Sequence, residues 1–154
     1  MDLKLIFQNQ ILICAAASWV FAQSLKIFII LFKRHNYETK DLIIHAVFGT
    51  GGMPSSHTAT VTAITLSIGF KEGFNTGLFA LSVIFLLIVF RDATGVRLAS
   101  GQQAITINRI LDEIKIEDQD KVKKIKEVKG HTLLEGLVGS FIGIIVSLAF
   151  CFAI

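Results

Sequence analysis

The chain has 154 residues and a formal net charge of +3, and 53% of its residues are hydrophobic. This apolar content exceeds the roughly 45–50% typical of soluble domains, and the mean hydropathy is +0.65. These values argue against a soluble protein and predict a single integral membrane domain over residues 1–154. The positive charge indicates basic loops at an anionic membrane surface, so no nucleic-acid partner is expected.

Four apolar segments follow one another along the chain, and a spanning helix needs about 17–25 residues. Segments 11–32 and 133–154 reach that length, whereas 56–70 and 76–90 are shorter and flank the turn KEGFN. We therefore predict an all-α membrane bundle of about four spans, in which the middle two form a helical hairpin. The first segment is not expected to be a cleaved signal peptide, because its apolar stretch is too long.

Basic residues near helix ends predict the orientation, because they are retained on the cytoplasmic side. The loop after the first span contains Lys33, Arg34 and Lys40, and the cytoplasmic segment predicted over 91–131 is also rich in lysine and arginine. An N-terminus outside and both basic regions inside satisfy this rule. The same arrangement places every polar cluster of the chain at one face of the membrane.

Lys26 lies about two helical turns inside the first predicted span, and Gln23 precedes it by one turn on the same face. A charge at that depth is costly and by default indicates a functional site that faces the protein interior. Lysine can also snorkel to the interface, but Lys33 and Arg34 already occupy that position. We expect Lys26 to belong to a site.

The only proline of the chain, Pro54, belongs to the stretch GGMPSSH at the start of the second span. Glycine permits unusual backbone conformations and proline suits the first turn of a helix, so a helix entry with Ser55 or Ser56 as N-cap is expected. A helix entry alone could explain the motif, with His57 as an interfacial polar residue. Helix N-termini also favour anions such as phosphate, and His57 could there protonate a departing oxygen.

Arg91 and Arg97 straddle the end of the third span, where a guanidinium could bind phosphate through paired hydrogen bonds. They could also serve as a membrane anchor, and Asp92 could pair with one of them. Apolar residues at helical spacing then predict an amphipathic helix over 102–116, on the membrane or against the bundle. These residues are Ala104, Ile107, Leu111 and Ile114. The charged segment 112–129 is interpreted as a solvated continuation or mobile loop without chemistry.

The last span begins with KGHTLLEG, which supports two interpretations. Thr132 and Glu135 fit a capping box, which would explain both residues structurally. His131 and Glu135 are also four residues apart, so the carboxylate could orient the imidazole, as in nucleophilic or general-base histidines. We expect that Glu135 cannot fully perform both roles and favour the catalytic one, because His57 supplies a second histidine at the same face. Cys14 and Cys151 lie in apolar runs, so neither a disulfide nor a metal site is expected.

Four stretches, GGMPSSHTA, RDATGVR, GQQAITIN and GHTLLEGLVGSFIG, resemble the divergent PAP2 family, also called DUF212, in this order over nearly the whole chain. This family consists of small bacterial and plastid membrane proteins similar to type 2 phosphatidic acid phosphatases and vanadium-dependent haloperoxidases. The resemblance implies a PAP2-like helical core and phosphate chemistry without a metal or other cofactor. A bacterial inner-membrane location is expected.

Two motifs of the wider superfamily correspond to the first half of the chain. Residues 54–57 resemble its Pro-Ser-Gly-His motif, with Ser56 in place of glycine, and this implies His57 as the general acid. Lys26, followed after several residues by Lys33, resembles its first motif, a lysine followed by Arg-Pro. Here a lysine stands for the arginine and the proline is missing.

The third motif, Ser-Arg-x5-His-x3-Asp, corresponds to the start of the last span. His131 with Glu135 resembles its end, with glutamate for aspartate, and this implies His131 as the nucleophile that becomes phosphorylated. Ile125 stands where the motif has its phosphate-binding arginine. Arg91 or Arg97 could replace that arginine in space.

Together these observations predict a metal-independent phosphatase that hydrolyses a lipid phosphomonoester, such as phosphatidic acid or phosphatidylglycerophosphate. The expected phosphate ligands are Lys26, Lys33, Ser55, Ser56, Arg91 and Arg97. The main alternative is a catalytically silent protein that binds or scaffolds lipid phosphates. A small transporter subunit is a third hypothesis, disfavoured because the polar residues are expected at one mouth rather than along a route. Four spans are few to enclose a site, so a homodimer is plausible.

Overall fold

The computed structural model of the protein describes residues 7–33, 52–113, 123–127 and 130–153. The regular structure in these ranges is helical, as the all-α prediction requires. The helices are α1 (Gln10–Lys33), α2 (Ser56–Glu72), α3 (Gly77–Arg91), α4 (Arg97–Glu113) and α5 (Leu133–Ala153), and a π-helical turn (Asp92–Val96) joins α3 to α4.

Three helical stretches in the described ranges are long and apolar enough to cross a membrane, namely Gln10–Phe32, Gly77–Glu113 and Leu133–Phe152. Large apolar side chains such as Leu81 and Phe141 are exposed on their outer faces, where lipid would cover them. The protein is therefore an integral membrane helical bundle. Helix α2, with 17 residues, is shorter than the roughly 20 residues of an ordinary span, so its crossing of the whole bilayer stays a prediction.

Helix α2 lies at the centre of the bundle, in contact with α1, α3 and α5. Glycines of α5 make the closest of these approaches possible. A Cβ added at Gly143 would lie 2.8 Å from Thr62 Cβ, and one at Gly139 would overlap with the carbonyl oxygen of Ser55. Small residues four positions apart commonly form such close helix contacts in membranes.

The direction of each helix determines which ends meet. Ala22 of α1 packs with Ala59 of α2 and Ile142 of α5. Towards the other end of α2, Cys14 and Ser67 line the same cavity. Helix α1 therefore runs antiparallel to α2, and α2 and α5 run in the same direction. The C-terminal end of α1 consequently meets the N-terminal ends of α2 and α5.

The amphipathic helix predicted over 102–116 differs from the structure in its start and its buried face. Helix α4 begins at Arg97 and continues from α3 through the π-helical turn. Its buried residues are Gly101, Ala104 and Asn108, whereas Ile107 is 42% exposed. The predicted apolar stripe is thus only partly buried, because the face of α4 that packs inward is centred on Gly101, Ala104 and Asn108. Ile114 lies outside the described residues.

Residues 123–127, which have no regular secondary structure, are bound to α4 by Asn108. The Asn108 side-chain amide donates to the carbonyl oxygen of Ile125 at 2.9 Å, and the Ile125 N–H donates back to Asn108 Oδ1 at 2.9 Å. Lys124 also pairs with Asp112 at 2.8 Å. This part of the predicted charged loop is therefore attached to the helix, because one asparagine satisfies both backbone groups of Ile125.

Candidate functional site

Three of the polar motifs meet at the end of the bundle where α2 and α5 begin. The Ser55 N–H donates to the carbonyl oxygen of Glu135 at 3.2 Å, and the His131 N–H donates to that of Ala93 at 3.0 Å. These two bonds connect the start of α2, the π-helical turn and the start of α5. The expectation that the polar clusters share one face agrees with this arrangement. The side chain of Lys33, at the end of α1, lies outside the described residues.

The start of α2 is held firmly to α5. Ser55 is the N-cap, and its hydroxyl oxygen accepts from the Thr58 N–H at 3.4 Å. The buried Thr58 hydroxyl donates to Gly136 O at 3.0 Å. Because the Ser55 N–H already donates to Glu135 O, this amide is not available to a substrate, in contrast to the role expected for it. Ser56 is 9% exposed and occupies the first helical position, whose N–H has no acceptor within the helix.

His57 and His131 differ in their access to solvent. His57 is exposed in the first turn of α2, whereas His131 is only 7% exposed. The charges of His131, Arg97 and Lys26 all act on His57. The two histidines therefore belong to one electrostatic cluster, with His57 at its surface.

Glu135 makes both of the contacts that we expected to exclude each other. Its Oε2 atom lies 3.3 Å from His131 Nδ1 and accepts from the Thr132 N–H at 3.0 Å. The Thr132 hydroxyl oxygen accepts from the Glu135 N–H at 3.3 Å, which completes the capping box. The expectation of exclusive roles was wrong, because one carboxylate oxygen has enough lone-pair capacity for two donors.

The π-helical turn supplies the acceptor that holds the His131 backbone. In a regular α-helix the Arg97 N–H would donate to the carbonyl four residues earlier, which belongs to Ala93. Here it donates to Asp92 O, and Ala93 O accepts from the His131 N–H instead. The extra residue in this turn thus releases a carbonyl for the site, as π-bulges at functional sites often do.

Gly130 allows the chain to reach this carbonyl. A Cβ at Gly130 would lie 2.7 Å from the carbonyl carbon of Arg97 and closer still to the backbone of Leu98. Backbone lies on both sides of the contact, so no side-chain movement could relieve it. Sequence reasoning missed Gly130 and Ala93, because the importance of each depends on a π-helical turn that no residue pattern predicts.

Lys26 is 6% exposed and Gln23 is 8% exposed, so both face the interior, as their spacing indicated. The Lys26 charge interacts with Glu135 and acts on His131. Gly52 lies against the lysine: it has φ +88°, and a Cβ there would be 3.3 Å from Lys26 Cε. A glycine is therefore favoured at this position both by the backbone conformation and by the lysine beside it.

The two arginines occupy different positions relative to the histidines. Arg97 Nε donates to Asp92 Oδ2 at 2.7 Å, and its charge acts on both His57 and His131. Arg91 is exposed and is absent from the charges that act on either histidine within the described residues. Of the two arginines proposed from the sequence, Arg97 is the one whose charge acts on the two histidines.

Burial lowers the pKa of His131 below the ordinary histidine value, and the positive charges of Lys26 and Arg97 lower it further, although Glu135 acts in the opposite direction. His131 is therefore mainly neutral at pH 7. When Nδ1 carries the proton and faces Glu135, Nε2 holds a free lone pair. This is the protonation state of an imidazole nucleophile.

Residues 7–146 match the family model described as the divergent PAP2 family. A relative from Bacillus subtilis (strain 168), described as the uncharacterized membrane protein YuiD, is 35% identical over 161 residues. The alignment covers 96% of this chain and 97% of that protein. No solved structure matches the chain.

Proposed function

Because the chain belongs to the divergent PAP2 family, we propose that it is a metal-independent membrane phosphatase acting on a lipid phosphomonoester. The observation that carries this proposal is the bond between His131 Nδ1 and Glu135 Oε2 at 3.3 Å, within one cluster that contains a second histidine and two cations. A carboxylate-oriented imidazole, a second histidine and cationic groups are the components of phosphoryl transfer through a phosphohistidine.

In the proposed binding step, Lys26 and Arg97 neutralise the phosphate oxygens. Lys26 is nearly buried, and the ion pair of Arg97 with Asp92 uses Nε, which leaves the terminal guanidinium nitrogens for phosphate. The N–H groups at the start of α2, from Ser56 onwards, would add hydrogen bonds. Lys33 stays a proposed ligand, and Arg91 is the weaker candidate of the two arginines.

In the proposed chemical step, His131 Nε2 attacks phosphorus as the bond from phosphorus to the lipid oxygen breaks. Protonated His57 gives its proton to the departing alkoxide, and the negative charge of the bound phosphate favours that protonated form. His57 then accepts a proton from water, whose oxygen attacks the phosphohistidine. Phosphate leaves, and His131 returns to its neutral form with the proton still on Nδ1.

A site at the end of a membrane bundle favours a phosphate attached to lipid over a soluble ester, because a lipid brings its headgroup to that depth. Phosphatidic acid and phosphatidylglycerophosphate are suitable candidates. We propose the cytoplasmic leaflet from the positions of the basic loops. Labelling a cysteine introduced at residue 131 only from the outside of intact cells would contradict this orientation.

The test is phosphate release by detergent-purified protein from a panel of lipid phosphates without divalent metal. We expect His131→Ala and His57→Ala to abolish release, and vanadate to inhibit it by mimicking the pentacoordinate phosphorus. Arg97→Ala and Arg91→Ala form a matched pair, of which only Arg97→Ala should strongly weaken phosphate binding. Equal effects of the two arginine substitutions would contradict the assignment of Arg97.

The alternative is a silent protein that binds or scaffolds lipid phosphates with the same residues. Two observations favour it, the replacement of the third-motif arginine by Ile125 and the small exposed fraction of His131. Binding of phosphatidic acid vesicles by folded protein that releases no phosphate would support this alternative. Phosphate release that depends on His131 would rule it out.

A further inference from the structure

The bundle interior contains polar atoms that the protein leaves unpaired. Within the described residues, four buried side-chain atoms have no hydrogen-bond partner, namely Ser18 Oγ, Gln23 Oε1, Thr62 Oγ1 and Ser147 Oγ. Ser18 and Ser147 are 0% exposed, and Thr62 is 5% exposed. Buried polar groups almost always find a partner, and the hydrocarbon region outside the bundle offers none. The four atoms therefore point to something bound among the helices.

Ser18, Thr62 and Ser147 come from three different helices and lie within about one helical turn of one another along the bundle. The same three helices meet at two neighbouring levels, Ala22–Ala59–Ile142 and Cys14–Ser67–Cys151. Along each helix, the hydroxyl residue is three to five residues from each of these levels. A Cβ added at Gly143 would lie 2.8 Å from Thr62 Cβ. Thr62 therefore faces α5, about one turn from Ser147.

We propose that this level, the hydroxyl layer of Ser18, Thr62 and Ser147, is a binding site for ordered water. A buried water typically makes about three hydrogen bonds to polar groups that would otherwise be unsatisfied, and three hydroxyls from three helices provide that number. Serine and threonine hydroxyls can each donate or accept, so a water can bond to them in either direction. Their small side chains also leave more room than leucine or phenylalanine would.

The hydroxyl layer lies between two other polar regions. Towards one end, Cys14 and Ser67 line a cavity of about 360 Å³ at the mouth opposite the candidate site. Towards the other end, Gln23, with its unpaired Oε1, lies about one helical turn from Lys26. Water at Gln23 would lower the cost of a charge at this depth. The polar residues thus extend along the bundle interior, and the expectation that they gather at one mouth describes only part of the structure.

The test compares the thermal stability of Thr62→Val, Ser18→Ala and Ser147→Ala in detergent with that of the wild type. If water binds the layer, each substitution removes one of its partners and lowers Tm by a few degrees, and the double substitution Ser18→Ala with Ser147→Ala costs less than the sum. If the layer is dry, each substitution removes an unpaired polar atom and leaves Tm unchanged or raises it. Unchanged or raised values for all three variants would overturn the proposal.

A second measurement separates water from a purely structural effect. In solid-state NMR of the wild type in lipid, magnetisation transferred from water should reach the Thr62 and Ser147 side chains faster than Ser82. Ser82 is a matched control because it is also buried, while its hydroxyl donates directly to Phe79 O at 2.7 Å. Transfer to the layer no faster than to Ser82 would contradict bound water there. Neither measurement requires phosphatase activity, so failure of the phosphatase proposal would leave this inference standing.

Discussion

Replacing Gly130 by alanine should push the segment that leads to His131 away from the π-helical turn. The added Cβ would lie 2.7 Å from Arg97 C, whereas ordinary van der Waals contact begins at 3.4 Å, so the two backbones must move apart by at least 0.7 Å. Such overpacking typically costs about 1–3 kcal/mol. The His131 N–H would also lose its 3.0 Å bond to Ala93 O. A nucleophile displaced by about 1 Å can lose roughly 100-fold in rate, which is the expected loss of phosphate release.

The measurement is thermal unfolding and lipid phosphate release of Gly130→Ala beside Gly95→Ala. Gly95 lies in the same π-helical turn, and a Cβ there would meet nothing within 4 Å. We expect Gly95→Ala to retain both stability and activity. A Gly130→Ala protein with the wild-type Tm would refute the close backbone contact. A protein with lowered Tm but full phosphate release would refute the link between that contact and the position of His131.

Three further predictions concern groups around the site. Glu135→Gln keeps a capping residue but removes the charge that raises the His131 pKa, so the acid limb of the kcat/KM profile should move to lower pH. Glu135→Ala should in addition lower the free energy of unfolding by about 1 kcal/mol. An acid limb that is unchanged in both variants would contradict the pairing of Glu135 with His131. Asn108→Ala should speed amide hydrogen exchange in residues 123–127 by more than about 10-fold. An unchanged exchange rate would show that other contacts hold this segment. Gly139→Ala should lower the free energy of unfolding by about 1–3 kcal/mol. Gly77→Ala is the control, because its Cβ would meet nothing within 4 Å. Equal stability of the two variants would contradict the close approach of α5 to α2.

The helices and the grouping of the motifs could be predicted from the sequence, because both depend on local signals. Apolar run length indicates a membrane helix wherever it occurs, and the approach of Glu135 to His131 follows from their closeness in sequence at the start of α5. The burial of Lys26 followed from the cost of a charge inside a span. Such predictions need no knowledge of which helix packs against which.

Features that depend on packing could not be predicted in this way. The buried face of α4 consists of Gly101, Ala104 and Asn108. Asn108 binds the backbone of Ile125, and hydropathy does not indicate such a contact. That Arg97 is the arginine whose charge acts on both histidines likewise depends on packing. The polar interior escaped prediction because Ser18, Thr62 and Ser147 are scattered in the sequence and become buried only when the helices pack together.

Hydrogen exchange at the Thr132 N–H reports on the site, because this N–H and the His131 ring share one oxygen of Glu135. The Thr132 N–H donates to the same Oε2 that faces His131, so its exchange with solvent is slow only while the carboxylate is in place. Any event that draws the carboxylate away, such as partial unwinding of the first turn of α5, would expose this amide as well. The exchange rate of one proton would then reveal how often the imidazole loses its orienting partner, even in a protein at rest and without substrate.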